Sequence, residues 1–456
     1  MAERPAPGQA ALPRPRLALF TLWTLVFASA GQIIVVAPIL PRIAAQLSMD
    51  EGPLGLLITV YAVALAAFTL VVGPVSDRVG RRRVILWGAA AMAAALLAHG
   101  LADSFGSLLA LRALAGAAGG VLSGASVAYV GDTFPPDRRG WANGWVMSGF
   151  AVGQILGIPA GIALADAFGF RAPFVAFGAV MVGAFALSVI ALPQPAGARS
   201  RTALTLGGAV RGYRDLARGG ATGAAAVVYL VLFAGVGLFV VYFPTWLERA
   251  HGFTGAQVSA LYALGGLSNV AVGPRAGRLS DRVGRRPVIV GASVGLGLAM
   301  AVTPVVAGLP YAPYVAFCGI MALAAARISP LQALLTEMVP AQRRGSFMSL
   351  TTATGNAGFA AGSAAAGALY AGAGFGANAL AAGGAALVGA ALVARFLPAG
   401  RTAADPCPPG LEDCTDRPVP TALAGPSPEA GHMSEGALAD AGPGGNGAAP
   451  PRLART

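Results

Sequence analysis

Two arginines stand where arginine is expensive. Arg112 lies in "SLLALRALAGAAGG" and Arg327 in "IMALAAARISPLQ", each surrounded by apolar residues. A charged group inside an apolar helix is costly and marks a functional site by default. A guanidinium presents five donors in a planar fork that matches a carboxylate or phosphate. Such arginines bind an anion, tune a proton site, or bond the carbonyls of a broken neighbouring helix. Six further polar residues sit in apolar runs: Gln32, Tyr61, Gln154, Asn269, Gln332 and Asn356. Each is a candidate for substrate or coupling contact, against the alternative of a plain interhelical hydrogen bond worth about 0.6 kcal/mol.

The acids do not accompany these arginines. Asp77, Asp132, Asp281 and Glu337 fall at one set of helix ends, and Asp50, Glu51, Asp103, Asp166 and Glu248 at the other. No carboxylate is expected at mid-depth to carry a proton or to attract an organic cation. Either a terminal carboxylate, Asp132 or Asp166, titrates with the Arg112 field tuning it, or the two arginines hold an anionic substrate. The expectation is a cavity that favours neutral or anionic solutes over organic cations. Other chemistry is excluded more firmly. All 31 basic residues are arginine, so there is no lysine for a phosphate-gripping loop or a Schiff base. His99, His251 and His432 are far apart, and Cys318, Cys407 and Cys414 give no metal or disulfide framework. No metal, no cofactor and no enzyme activity are expected.

The elements that must position these residues follow from composition. Of 456 residues, 56% are hydrophobic and 11% charged, against about 25% charged in a soluble domain. Lipid, not water, has to cover most of this chain. A crossing takes about 20 apolar residues as helix. Twelve such segments are expected, at roughly 17–40, 53–75, 83–102, 105–131, 141–165, 171–193, 222–247, 254–276, 287–308, 311–338, 345–371 and 374–398. The first run carries no small-residue cleavage site and is expected to remain as a helix. The domain reading is a tail (1–16), a six-helix bundle (17–193), a polar central loop (194–221), a second six-helix bundle (222–398) and a Pro/Gly/Ala-rich tail (399–456) too polar to order itself. One face of this arrangement collects 26 arginines and the other only Arg42, Arg171 and Arg249. By the positive-inside rule both termini are cytoplasmic. The +12 net charge is then a topology signal with phospholipid contact, not a nucleic-acid surface.

A repeat organises the chain. "GPVSDRVGRRRV" at 73–84 returns as "GRLSDRVGRRPV" at 277–288, 204 residues on. Arg138, Arg139 and Gly140 match Arg343, Arg344 and Gly345 at 205, and Gly153 and Gly157 match Gly358 and Gly362 at the same spacing. The chain is two halves of one design. The repeated stretch resembles the cytoplasmic loop motif of the major facilitator superfamily, here carried by Gly73, Asp77, Arg78, Gly80, Arg81 and Arg82, and again by Gly277, Asp281, Arg282, Gly284, Arg285 and Arg286. The resemblance covers residues 17–398 and implies an all-α integral membrane protein: twelve helices in two pseudo-symmetric bundles around a cavity alternately open to each side. It also implies a gate. Gly73 and Gly277 would allow close helix contact between halves, Asp77 would lie against the start of helix 11 and Asp281 against that of helix 5, with Arg81 and Arg285 orienting them. The plainer alternative is a positive-inside anchor and a tight turn.

Three stretches narrow the branch. "IVVAPILPRIAAQL" and "LRALAGAAGG" are similar to the first and fourth helices of proton-coupled efflux members. "GFAVGQILGIPAGIALADAFGF" resembles the helix-5 motif of drug:proton antiporters, with Gly149, Gly153, Gly157 and Gly161 at period four and Pro159 among them. Ile158 separates the glycine and proline that the motif often joins, and simple helix packing explains a glycine stripe equally. The resemblance implies a secondary transporter moving a small organic solute by alternating access, with proton-coupled efflux as the leading reading. Its partners would be a small-molecule substrate, the lipid bilayer and protons; it would act as a monomer. Arginine- and alanine-rich usage suggests a GC-rich bacterial genome, which places it in the inner (plasma) membrane. The alternatives are an uncoupled facilitator or importer of a small, anionic metabolite, and a membrane sensor that binds without transport.

Overall fold

A computed structural model of the chain describes residues 14–134, 139–193 and 206–399. The end regions expected as tails, most of the central loop and Arg138 lie outside the described residues, as do the side chains of Asp77, Arg139 and the surroundings of Gly73. Within the described residues the first half contains α1 (Pro15–Ile34), α2 (Val36–Leu47), α3 (Leu56–Val79), α4 (Arg81–Ala98), α5 (Phe105–Thr133), α6 (Arg139–Phe168) and α7 (Arg171–Ala191). After α8 (Leu206–Arg218) the second half contains α9 (Gly220–Val240), α10 (Phe243–His251), α11 (Gly255–Val283), α12 (Arg285–Val306), α13 (Ala312–Glu337) and α14 (Ala341–Phe396). No strand occurs among these residues. A helix satisfies its backbone within one segment, which is what a hydrocarbon solvent requires.

Among the described residues ten helices are long and apolar enough to cross a membrane. One of them, α14, has 56 residues and would be about 84 Å long if straight, nearly three bilayer cores. It is two crossings joined at Gly374, whose φ of 74° breaks the helical path. α11 is diluted by Arg275, Arg278, Asp281 and Arg282, yet it is the repeat partner of α3. With α1–α2 and α9–α10 each counted as one broken crossing, twelve segments result.

Both breaks have the same cause. A proline lacks an N–H and its ring collides with the carbonyl four residues earlier. Pro38 does this to Ile34, where α1 ends, and Pro244 to Val240, where α9 ends. Pro159, in contrast, is accommodated within the continuous α6. The repeated motif is also more helical than a loop. Its Asp–Arg pairs lie in the last turns of α3 and α11, and the entire turn into the next helix is one glycine: Gly80 at φ 101° and Gly284 at φ 98°. Only glycine adopts that backbone without strain.

Small residues set the packing within each half. A Cβ on Gly149 or Gly153 would lie 2.7 Å from the Trp23 carbonyl or 2.9 Å from that of Phe27, so α6 rests directly on the α1 backbone. The repeat does the same: Gly358 and Gly362 press α14 onto α9, at 2.0 Å from the Leu230 and 2.1 Å from the Ala234 carbonyl. The helix-5 stripe is thus a packing seam in both halves. The central segment expected as a polar loop includes α8, in which Tyr213 and Leu216 are covered while Arg211, Arg214 and Arg218 are exposed. Tyr213 donates to the Leu70 carbonyl at 3.4 Å, and Leu216 is buried.

Candidate functional site

Arg112 is 1% exposed and is the centre of a polar cluster inside the first half. Its Nη1 donates to Gln32 Oε1 at 2.7 Å, and its Nε reaches the Leu57 carbonyl at 3.4 Å. The guanidinium lies 4.3 Å from the centre of the Tyr61 ring. Gln32 closes the ring of contacts by donating from Nε2 to the Tyr61 hydroxyl at 3.1 Å. Each member is placed by a packing feature. Gln32 is in the last turn of α1 before the proline break, next to Gly31, whose Cα would lie 3.2 Å from a Cβ on Gly157 of α6. Tyr61 is brought in by close contact of α5 with α3, where a Cβ on Gly116 would be 2.3 Å from the Tyr61 carbonyl.

The cluster is not saturated. Arg112 Nη2 is buried with no hydrogen-bond partner. A buried charged donor without an acceptor costs several kcal/mol on an order-of-magnitude view, so this group is available to an acceptor that arrives. His99 and Phe174 are neighbours that sequence reasoning missed. His99 is fully buried, stacks on Phe174 at 4.4 Å and bonds through Nδ1 to the Ala95 carbonyl, while Nε2 has no partner. Phe174 lies 5.9 Å from the Arg112 guanidinium. The histidine stands at the end of an apolar helix, and only tertiary packing brings it here.

Arg327 is 3% exposed in α13, and its Nε is buried without a partner. Tyr229 of α9, whose hydroxyl is likewise buried and unpartnered, is its electrostatic neighbour. The two arginines do not share a depth. Under the 205-residue repeat Arg112 corresponds to Phe317, ten residues before Arg327, which is about 15 Å along a helix.

The other expected polar residues disperse. Asn269 donates to the Met321 carbonyl at 3.4 Å and ties α11 to α13, and Asn356 bonds Thr352 of its own helix at 3.0 Å. Gln332 is exposed and Gln154 half-buried. Between the halves an open groove of about 290 Å³ runs along Thr59, Val63 and Ala66 of α3 and Ala357, Ala360 and Ala364 of α14.

The repeated motif builds matching ion pairs. Arg81 Nε lies 2.9 Å from Asp132 at the end of α5, and Arg285 Nε lies 2.8 Å from Glu337 at the end of α13. The sequence marked Glu337 only as terminal and Asp132 also as a candidate titrating group. Arg285 also lies 3.2 Å from Asp281, whose side chain is 57% exposed. Arg82 reaches the Val189 carbonyl at 2.8 Å, tying α4 to the end of α7. Arg78 and Arg282 are exposed, and Arg286 receives support from the chain after α14 through a 3.3 Å bond from its backbone N–H to the Ala399 carbonyl. A Cβ built at Gly277 would lie 3.2 Å from the Ser329 hydroxyl of α13, within its own half.

The chain matches the profile of the Major Facilitator Superfamily over residues 22–218 and 225–418. It belongs to that superfamily. This facilitator is 26% identical over 348 residues to the uncharacterized MFS-type transporter YceJ of Bacillus subtilis (strain 168), covering 76% of this chain and 87% of YceJ. It is 31% identical over 176 residues to the multidrug resistance protein MdtG of Citrobacter koseri, a match spanning 38% of this chain and 43% of MdtG. Among solved structures, the D-xylose-proton symporter superposes with a TM-score of 0.70 at 17% identity, covering 85% of this chain and 99% of the symporter. The human organic anion transporter MFSD10 superposes with a TM-score of 0.65 at 19% identity, covering 84% and 100%. The facilitator is therefore a multi-pass membrane transporter of small molecules and not an enzyme.

Proposed function

We propose that this transporter exports a small organic solute from the cytoplasm in exchange for protons, and that its cavity favours neutral or anionic solutes over organic cations. Arg112 carries the selectivity reading: a buried guanidinium with a vacant donor, and no acid in its cluster. Among the described residues every carboxylate lies at or near a helix end or on α8, so nothing at mid-depth balances a cation. The apolar groove between α3 and α14 suits the hydrocarbon part of a solute. Export is supported by the partial likeness to MdtG. With 26 arginines on one face, both termini are assigned to the cytoplasm and the protein to the inner membrane. It works as a monomer, since each half finds its partner within the chain.

The test is a thermal-shift screen of purified protein with lipophilic cations, neutral drugs and organic anions, on the native chain, Arg112→Ala and Arg327→Ala. A ligand at about a hundred times its Kd adds roughly 2.7 kcal/mol, enough to detect. Stabilisation by anions or neutral solutes that Arg112→Ala removes is expected. Stabilisation by cations that survives both substitutions would reject the selectivity and restore cationic drug export.

A further inference from the structure

Only three arginines lie on the arginine-poor face, and two of them reach into the opposite half. Arg42 of α2 bonds Glu248 of α10 through Nη1 at 2.5 Å, and through Nε it bonds Asp166 of α6 at 2.8 Å. Arg249 of α10 in turn lies 2.8 Å from Glu51, just before α3. Each half thus gives one cation and receives one, from positions directly adjacent in sequence on α10. Between the pairs, the Tyr242 hydroxyl donates toward the carbonyls of Gly52 (2.7 Å) and Glu51 (3.0 Å) and accepts from the Gly55 N–H at 3.0 Å. Below them Thr59 reaches the Ala360 carbonyl at 3.4 Å.

We infer that Arg42–Glu248 and Arg249–Glu51 form a reciprocal charge clasp that closes the outer gate of the transport cycle, with Tyr242 as its bolt. The arrangement has what a reversible closure needs. When the halves part, Arg42 loses Glu248 but keeps Asp166, which belongs to its own half. Glu248 in turn is left beside Arg249. Glu51 alone gives up its partner, and it meets water as the halves part, so opening exchanges ion pairs for water without leaving a buried, bare ion. The side chains of Arg42, Glu248 and Glu51 are 16%, 14% and 15% exposed and that of Arg249 is 60% exposed, so Arg42–Glu248 is the drier and stronger pair and both are wet enough to separate. Of the groups that Tyr242 contacts, the Gly55 N–H is a donor of the kind a helix start leaves unpaired, while the Glu51 carbonyl also accepts from the Leu54 N–H at 3.1 Å. Calling this gate outer rests on the positive-inside orientation.

The test uses the full chain with Cys318, Cys407 and Cys414 changed to serine and a reporter cysteine at Thr59, labelled by a membrane-impermeant maleimide on right-side-out vesicles. Glu248→Gln is expected to raise the labelling rate by roughly fivefold, the factor for an ion pair at the upper end of the exposed range. Glu51→Arg is expected to do the same, and Glu51→Arg with Arg249→Glu to return the rate to within about twofold of the parent. That rescue separates a clasp from general loosening of the fold. A parent-like rate in folded Glu248→Gln, or a double swap as fast as Glu51→Arg alone, would overturn the clasp. Acceleration seen only in inside-out vesicles would overturn its assignment to the outer face.

Discussion

The Arg112 cluster makes a quantitative prediction for a double-mutant cycle. Gln32→Leu removes the acceptor 2.7 Å from Arg112 Nη1, leaving the carbonyl of Leu57 at 3.4 Å and the Tyr61 ring. Hydrogen bonds to charged groups contribute about 1.5–3 kcal/mol, and here the abandoned partner is a buried cation that already has one vacant nitrogen. Arg112→Met keeps most of the volume and removes the charge, but leaves Gln32 Oε1 dry and unpaired, a loss of about 1–3 kcal/mol. In the combined variant neither orphan exists. The double variant should therefore be more stable than the sum of the single losses by roughly 2 kcal/mol. Unfolding of a polytopic protein is seldom reversible, so the assay is the rank order of unfolding midpoints at one scan rate in one detergent. The expected order is parent, then the double variant at or above the worse single variant, with Gln32→Leu clearly below parent. A silent Gln32→Leu, or a double variant that loses the full sum, would refute the reading of Gln32 and Arg112 as one buried unit.

Three further outcomes follow from the geometry. Tyr61→Phe keeps the ring under the guanidinium but strands Gln32 Nε2, now 3.1 Å from the hydroxyl, and should lower the unfolding midpoint by an amount equivalent to about 1 kcal/mol; Tyr61→Leu should lower it further, by the loss of the cation–π contact. Gly358→Val should reduce the yield of folded protein far more than Gly144→Val, measured by size-exclusion recovery, because a Cβ at 358 would be 2.0 Å from a backbone carbonyl and one at 144 meets nothing within 4 Å. Gly80→Ala and Gly284→Ala each force an alanine to φ near 100°, a strain of about 1–3 kcal/mol, and both should lower the unfolding midpoint, whereas Gly291→Ala, in open space within α12, should not.

The repeat made much of the fold legible. It located both bundles, the pairing of α3 with α11, and the glycine seams whose match between α6 and α14 was visible as Gly153–Gly157 and Gly358–Gly362. Composition alone marked Arg112, and the polar residues Gln32 and Tyr61 joined it. What composition could not say was which side of a helix faces which neighbour, since in a crossing helix nearly every residue is apolar and the period carries little contrast. That is why Gln332 turned out exposed, and why His99 escaped notice at the end of an apolar run. Arg112 and Arg327 look like a pair until their distances from the helix ends are compared, ten residues apart in the repeat register. The clasp was missed for a different reason. Arg42, Arg249 and their acids were counted as topology signals, although three arginines on the sparse face are already too few to be there for orientation.

The proline breaks acquire a mechanical meaning from where the clasp sits. Arg42 is on α2 and Glu248 and Arg249 are on α10, the twelve- and nine-residue segments beyond Pro38 and Pro244. The long segments inward of each break, α1 and α9, are held by backbone-to-backbone glycine contact to α6 and α14. Pulling on the charges therefore bends the chain at two prefabricated elbows before it strains either seam. The protein is built like a pair of jointed fingers on two stiff palms: the grip at the tips can be changed by substitution, while the palms keep the alignment on which the solute's passage depends.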